Sequence, residues 1–350
     1  MRETHGYAAT AAGAALVPYT FFRREPGPHD ILIRILYCGI CHSDIHQARD
    51  EWGGALFPMV PGHEIVGTVA EVGSEVRSFR VGDKVGVGCF VDSCRECPAC
   101  RHGLEQYCEG HLVLTYNGTE RDGTPTYGGY SDQIVVNENY VLRIPDGLPL
   151  ERAAPLLCAG ITTYSPLRHW KVGKGHKLAV IGLGGLGHMA VQIGTALGAE
   201  VTVLSHSASK RADAERLGAA EFIVIPEVEC WEHRQRRFDF LLDTVSAPEP
   251  LDSYLELLKT DGTMILLAAP SQPISCNAFS LLLRRRRLVG SLIGGIRETQ
   301  EMLEFCAEHG IAAQVEIIPI QKVNEAYERL VKGDVRYRFV IDLDSLHRNR

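Results

Sequence analysis

Cys94, Cys97 and Cys100 follow one another at two-residue gaps and Cys108 comes eight positions later, so four thiols fall within fifteen residues. Cysteines at this spacing can close a tetrahedron around one zinc ion and leave no position open for chemistry. The segment that carries them, CFVDSCRECPACRHGLEQYC, is short of apolar residues and cannot build a core of its own. A bound zinc would supply the missing folding free energy. The competing reading is a pair of disulfides in a secreted loop, which needs an oxidising compartment. The start of the chain, MRETHGYAATAAGAALVPY, lacks the basic head of a signal peptide and is broken by Gly13 and Pro18. Eleven cysteines without export features point to a reducing cytoplasm and to metal rather than disulfide use.

At 350 residues the chain exceeds what one core usually supports, and two domains are expected. A net charge of −7 argues against a broad nucleic-acid surface. No apolar run approaches the ~18 residues of a membrane span.

From about residue 25 to 150 the sequence alternates glycines with short β-type runs: DILIRILYCG, EIVGTVAEVG, DKVGVGCFV and SDQIVVNENYVLRIP. This predicts an irregular, largely antiparallel β domain. From about 155 the texture changes. LAVIGLGGLG reads as a strand entering a glycine turn, HMAVQIGTALGA as a helix and VTVLS as a buried strand. The alternation continues through SKRADAERLGA, FIVI, FDFLLDTV, PLDSYLELLK and TMILLAA. That βαβ rhythm predicts a doubly wound parallel sheet, so the fold class is α/β. RLVGSLIGG follows, then the helices ETQEMLEFCAEHG and KVNEAYERLVKG and a last strand, YRFVIDL.

The glycine turn Gly182-Leu183-Gly184-Gly185-Leu186-Gly187 lies between a strand and a helix, the context in which GxGxxG marks a dinucleotide site. Gly182 permits the tight turn, Gly184 lets a pyrophosphate approach the backbone, and Gly187 lets the helix pack on the strand. The phosphates would sit at the positive end of the helix that opens through Gly185 and Leu186. An NAD site usually carries an acidic residue about twenty positions on, against the ribose 2′-hydroxyl. This chain has Ser205, His206, Ser207 and Lys210 there. With no carboxylate to repel a 2′-phosphate, and Ser205, Ser207 and Lys210 able to bind one, NADP(H) is expected. Arg211 is a weaker candidate and His206 a bystander. The alternative for Lys210 is a solvated position on the next helix.

Three further pieces, CHSDIH from Cys41 to His46, GHE from Gly62 to Glu64, and LCAG around Cys158, are unremarkable singly. Jointly, with PGHEIVGTV, the four-cysteine loop, YGGYSDQIVV, LLCAGITTYSPLRHW, GLGGLGHMAVQ and the closing DVRYRFVIDL, the chain resembles the zinc-dependent medium-chain alcohol dehydrogenases. It is most similar to their NADP(H)-dependent cinnamyl alcohol dehydrogenase-like branch, which includes bacterial broad-range aldehyde reductases. The resemblance covers essentially the whole chain; YGGY, with Tyr127, departs from the commoner QGG. It implies a GroES-like catalytic domain over 1–153 with both zinc sites. It also implies a Rossmann NADP-binding domain over 154–290 and a segment 291–350 returning to the catalytic domain.

The resemblance further implies that Cys41, His63 and Cys158 bind a catalytic zinc, giving two Zn2+ per chain. Two thiolates and a neutral imidazole roughly neutralise the ion and leave a fourth position open. Glu64 would assist ligand exchange, and Asp44 would accept the other ring proton of His63; the alternative for Asp44 is a turn cap. Ser43 would pass a proton to the reduced carbonyl and His46 would meet solvent at the outer end of the relay, where a group titrating near neutrality is suited.

Trp52, Leu114, Tyr116 and Ile293 are the expected substrate-pocket residues, with core packing the alternative for Trp52. Few charges fall in these stretches, so a neutral apolar or aromatic aldehyde or alcohol is expected. The strand RLVGSLIGG implies, by the same resemblance, a homodimer. Arg284–Arg287 reads as a solvated turn. Cys38, Cys89, Cys230, Cys276 and Cys306 read as small apolar residues. Two other functions compete with the leading one. One is reduction of an iminium or activated C=C bond on the same fold, against which Ser43, His46 and Glu64 argue. The other is a non-catalytic cofactor-binding role, against which the complete ligand set argues.

Overall fold

The computed structural model describes residues 1–225, 235–245, 251–270 and 273–347, so the expected packing of Cys230 lies outside the described residues. The chain divides into two compact units, Met1–Ile161 with Gly294–Arg350, and Thr162–Ile293.

The first unit is built on the strand Asp30–Gly39, whose isoleucines 31, 33 and 35 are almost wholly buried. It pairs antiparallel with Ile65–Val72, with Gln133–Asn137 and with the last strand, Arg338–Asp342. Ile65–Val72 in turn pairs with Lys84–Val87. Val315–Pro319 lies parallel to the last strand at one edge. The β-runs read from the sequence thus fold into one sheet that takes its closing strand from the far end of the chain. The N-terminal segment forms a separate hairpin in which Arg2–Ala8 pairs with Val17–Arg23, and the alanine-rich stretch 9–16 is the connection between the two strands. Side chains within Arg2–Ala8 alternate in burial, as a strand with one covered face requires.

In the second unit six strands run parallel in the order Glu221–Val224, Glu200–Ser205, Lys177–Ile181, Phe238–Asp243, Leu258–Leu266, Arg287–Gly290. That is the doubly wound order with a crossover at Lys177–Ile181, where dinucleotides bind at the carboxyl ends of the strands. Leu178, Ala179, Val180 and Ile181 are each at most 2 % exposed, as a central parallel strand covered on both faces requires.

Candidate active site

Register brings the first donor set together. Cys38 pairs with Ile65, and the Gly39 N–H bonds to the Glu64 carbonyl at 3.0 Å, so Cys41 and His63 leave the same end of one strand pair. The Ile40 N–H bonds to the Phe339 carbonyl, which brings the last strand to the same place. Cys158 ends the 3-10 turn Ala154–Leu157. The result is that donor atoms of Cys41, His63, Glu64 and Cys158, all buried, lie within 4.8 Å of one another. The Cys41 and Cys158 sulfurs are 3.9 Å apart.

The helix His42–Ala48 starts directly after Cys41, and its Asp44 is wholly buried. One carboxylate oxygen accepts the Cys41 N–H at 2.8 Å, capping the helix. The other accepts the Gly62 N–H at 3.1 Å and lies 3.4 Å from His63 Nδ1. Both readings of Asp44, cap and histidine partner, therefore describe its geometry. With Nδ1 facing Asp44, Nε2 is the nitrogen left for a metal.

The electrostatics are those of a site made for a cation. The contact with the Cys41 sulfur, the nearby Cys89 thiol and burial together push the Cys158 thiol well above the usual thiol range. The same Cys158 contact holds Cys41 well below it despite burial. For His63 burial acts to lower the value, but Cys89 and Asp44 together hold it well above the ordinary histidine range. A divalent ion here would displace these protons and leave two thiolates and a neutral imidazole. Cys89, read from the sequence as a small apolar residue, lies beside this set without joining it: its thiol donates to the Leu157 carbonyl at 3.9 Å, and the neighbouring Cys158 thiol holds it below the usual thiol range.

Glu64 makes a buried ion pair with Arg338, the two side chains 0 % and 3 % exposed. Glu64 Oε2 has no hydrogen-bond partner, an orphaned buried oxygen at the donor cluster. Arg338 was missed because nothing in the closing strand's pattern distinguishes an inward arginine.

Ser43 Oγ lies 3.6 Å from the Cys41 sulfur. His46 is half-buried, its Nδ1 paired with Glu51 and its ring stacked on Trp52 at 4.9 Å between centroids. Trp52 is 49 % exposed, so it is a surface platform for His46 and not core packing. Tyr116 is buried with its ring stacked on His63, centroids 5.8 Å apart. Leu114 is half-buried in a short strand paired with Phe90. Ile293 belongs to the other unit, half-buried with φ 36°.

The second donor set is the four-cysteine loop, with all four sulfurs within 4.8 Å of one another. Its backbone turns inward: N–H groups of Cys94, Cys97 and Glu109 donate to the sulfurs of Cys108, Cys94 and Cys97 at 3.3–3.4 Å. The N–H groups of Glu96 and Cys97 lower the Cys94 thiol to about 6. Every described cysteine is free, and the donors fit zinc.

In the second unit Gly182 has φ 86°, and a Cβ on Gly187 would stand 2.2 Å from the Gly182 carbonyl oxygen. A Cβ on Gly184 would meet open space, the room a pyrophosphate needs. The helix Gly187–Ala196 opens at Leu186, with Gly185 in the turn before it. Ser205 is buried, and its hydroxyl accepts the Ser207 N–H at 3.2 Å. Ser207 bonds Ser209, which sequence reading did not single out. Lys210 reaches back to the glycine turn, its Nζ 2.8 Å from the Leu183 carbonyl. Lys210 is half-buried there, and the cradle with its cation fits a dinucleotide phosphate.

Residues 27–146 match the alcohol dehydrogenase GroES-like domain, and residues 185–308 the zinc-binding dehydrogenase domain. The chain is 59 % identical over 347 residues to NADP-dependent alcohol dehydrogenase C 1 of Mycolicibacterium smegmatis, covering 99 % of each. A cinnamyl alcohol dehydrogenase from Sorghum bicolor superposes with a TM-score of 0.95 at 47 % identity, covering 98 % of each chain. The CAD of Helicobacter pylori complexed with NADP(H) gives 0.92 at 43 % identity, again covering 98 % of each.

Proposed function

Since the chain belongs to the zinc-dependent alcohol dehydrogenase family, we propose that it interconverts a primary alcohol and its aldehyde with NADP(H), favouring apolar or aromatic substrates. The observation that carries the reading is the coexistence of two donor sets in one unit, one of four thiols and one of two thiols, an imidazole and a carboxylate. The first set is a closed structural zinc site and the second an open catalytic one.

When bound, zinc supplies Lewis acidity toward the carbonyl oxygen and NADPH supplies the hydride. Cys41 and Cys158, as thiolates, balance the ion's charge with neutral His63, and Asp44 orients the imidazole. Glu64 stands close enough to exchange with a ligand of the ion. Ser43, beside Cys41, hands a proton to the substrate oxygen as the alcohol forms. His46, held by Glu51 and Trp52, exchanges that proton with water at the outer end of the relay. Trp52, Leu114 and Tyr116 are the substrate-wall residues of the catalytic unit. Ser205, Ser207 and Lys210 select the 2′-phosphate. The reaction balances as aldehyde, NADPH and one proton giving alcohol and NADP+.

We take the unit Met1–Ile161 with Gly294–Arg350, which holds Cys158 together with the other donors, as the catalytic domain and Thr162–Ile293 as the cofactor domain; the boundary near 154 expected from the sequence would have parted Cys158 from its partners. A homodimer is the assembly we favour. The parallel sheet ends on Arg287–Gly290 without a further strand among the described residues, and Phe279, Leu282, Leu283 and Leu292 are exposed around it in sequence. No helix among the described residues is long and apolar enough to cross a membrane. The free thiols support a reducing cytoplasm.

The test is the initial rate of NADPH oxidation with cinnamaldehyde, benzaldehyde and hexanal, beside NADH, with zinc counted on the same sample. Fast NADPH-specific turnover with both sites loaded is expected. A fully zinc-loaded protein inert toward all three aldehydes would favour iminium or C=C reduction instead.

A further inference from the structure

Asp44 is a wholly buried carboxylate with four close donors or ring partners, and the sequence motif YGGY supplies one of them. The segment lies along the residues just before His63: Gly128, Gly129 and Tyr130 N–H groups bond to the carbonyls of Val60, Gly62 and Pro61 at 2.7, 2.8 and 3.0 Å. This laces Tyr130 to the metal-ligand loop. Tyr130 is itself wholly buried, and its hydroxyl donates to Asp44 Oδ2 at 3.2 Å. Tyr327, from the helix Val323–Val331, donates in turn to the Tyr130 oxygen at 3.5 Å. The single Tyr130 hydrogen is thereby directed to Asp44.

The two oxygens of Asp44 are then divided. Oδ2 takes the Cys41 N–H and the Tyr130 O–H; Oδ1 takes the Gly62 N–H and faces His63 Nδ1. Cys41 and Tyr130 hold one edge of the carboxylate so that the other edge is presented to His63. We propose that Tyr130 is a positioning residue for the catalytic metal, acting through Asp44 to aim His63 Nε2, with Tyr327 as its support. The inference rests on the ligand assignment given under Proposed function. Its physical basis is that a buried carboxylate stripped of a donor must turn or leave a lone pair unsatisfied, and either disturbs the imidazole it orients.

Tyr116 supplies a comparison. It too is a buried tyrosine, its ring stacked on His63 and its hydroxyl on the Asp44 side, but it makes no hydrogen bond of ordinary geometry there. The experiment compares full-length, zinc-loaded wild type with Tyr130→Phe and Tyr116→Phe, following zinc release to a chelator and the visible spectrum after cobalt substitution. Tyr130→Phe is expected to lose the ion at the Cys41–His63–Cys158 site about tenfold to a hundredfold more readily. Its cobalt bands should shift, while the four-cysteine site holds its ion. Tyr116→Phe, which removes no made hydrogen bond to Asp44, should loosen the ion distinctly less than Tyr130→Phe does. Wild-type retention and spectrum in Tyr130→Phe, or equal loosening in Tyr116→Phe, would overturn the proposal. Should Tyr130→Phe fail to fold, Tyr327→Phe is read the same way, with a smaller loosening expected and unchanged retention overturning it. Cys158→Ser keeps the two failures apart: if it still holds both ions, the ligand assignment falls and the role of Tyr130 with it, whereas loss of one ion there beside wild-type retention in Tyr130→Phe overturns the role of Tyr130 alone.

Discussion

Cys41 and Cys158 stand 117 residues apart in the chain, yet their sulfurs lie 3.9 Å apart in the fold. The four thiols of Cys94–Cys108 are brought together by one short loop. The two donor sets therefore fail differently when a ligand is lost. Cys158→Ser should keep the fold, because sheet pairing builds that site whether or not a metal is there. It should lose one zinc and, with the several kcal/mol that a Lewis acid contributes, at least about a thousandfold in turnover. Cys100→Ser should cost stability first, on the order of 4 kcal/mol or more, because the loop lacks a core of its own. Zinc content, melting and kcat on both variants check this; equal unfolding in the two would refute the division.

Lys210 Nζ lies 2.8 Å from the Leu183 carbonyl in the glycine turn. Lys210→Ala removes a charge-assisted contact to a 2′-phosphate, worth ~1.5–3 kcal/mol, and should raise KM for NADPH about tenfold to a hundredfold. KM for NADH, which lacks that phosphate, should stay as it was. Paired initial rates with the two cofactors decide it, and equal losses would put the phosphate elsewhere.

The Glu64–Arg338 pair is buried on both sides. Arg338→Met leaves a carboxylate uncompensated at the metal cluster and should destabilise by about 3–5 kcal/mol. Pairing it with Glu64→Gln should recover most of that loss, since the penalty is the orphaned charge and not the missing contact. Denaturant unfolding of the single and double variants measures the recovery; an additive double variant would contradict it.

Backbone N–H donors from Glu96 and Cys97 lower the Cys94 thiol to about 6, against ~8.5 for an unfolded cysteine. A value depressed in the folded state contributes stability that is complete above the unfolded value and is lost as pH falls toward the folded one. Zinc-stripped protein should therefore melt progressively lower as pH drops from about 8.5 to 6. Cys94→Ser should lack that component. Melting curves of the metal-free protein across this range provide the check.

Legibility followed the range of the interaction. The glycine turn and the four-cysteine loop were plain because strand, turn and ligands are neighbours in sequence. Trp52 was ambiguous between pocket and core, since an aromatic residue serves either use; the fold puts its ring on His46 and half of it in water. The N-terminal hairpin escaped because its strands, RETHGYA and VPYTFFR, flank a long alanine-rich connection and carry Gly6 and Pro18, residues that weaken a strand signal. Cys89 read as packing, and only the fold brings it beside Cys158, with its thiol on the Leu157 carbonyl.

By itself the sequence determined the parts whose geometry closes within a single loop or βα unit: the structural zinc knuckle, the phosphate turn, and the absence of a carboxylate where a 2′-phosphate would lie. Tertiary structure decided what no local spacing can encode. The register of Asp30–Gly39 against Ile65–Val72 and Arg338–Asp342 sets Cys41, His63, Glu64 and Arg338 at one sheet end. The same fold turns Asp44 toward His63 and lays Tyr130 behind it. These contacts are made by strand pairing between distant segments, and a shift of one residue would turn their side chains to the other face of the sheet.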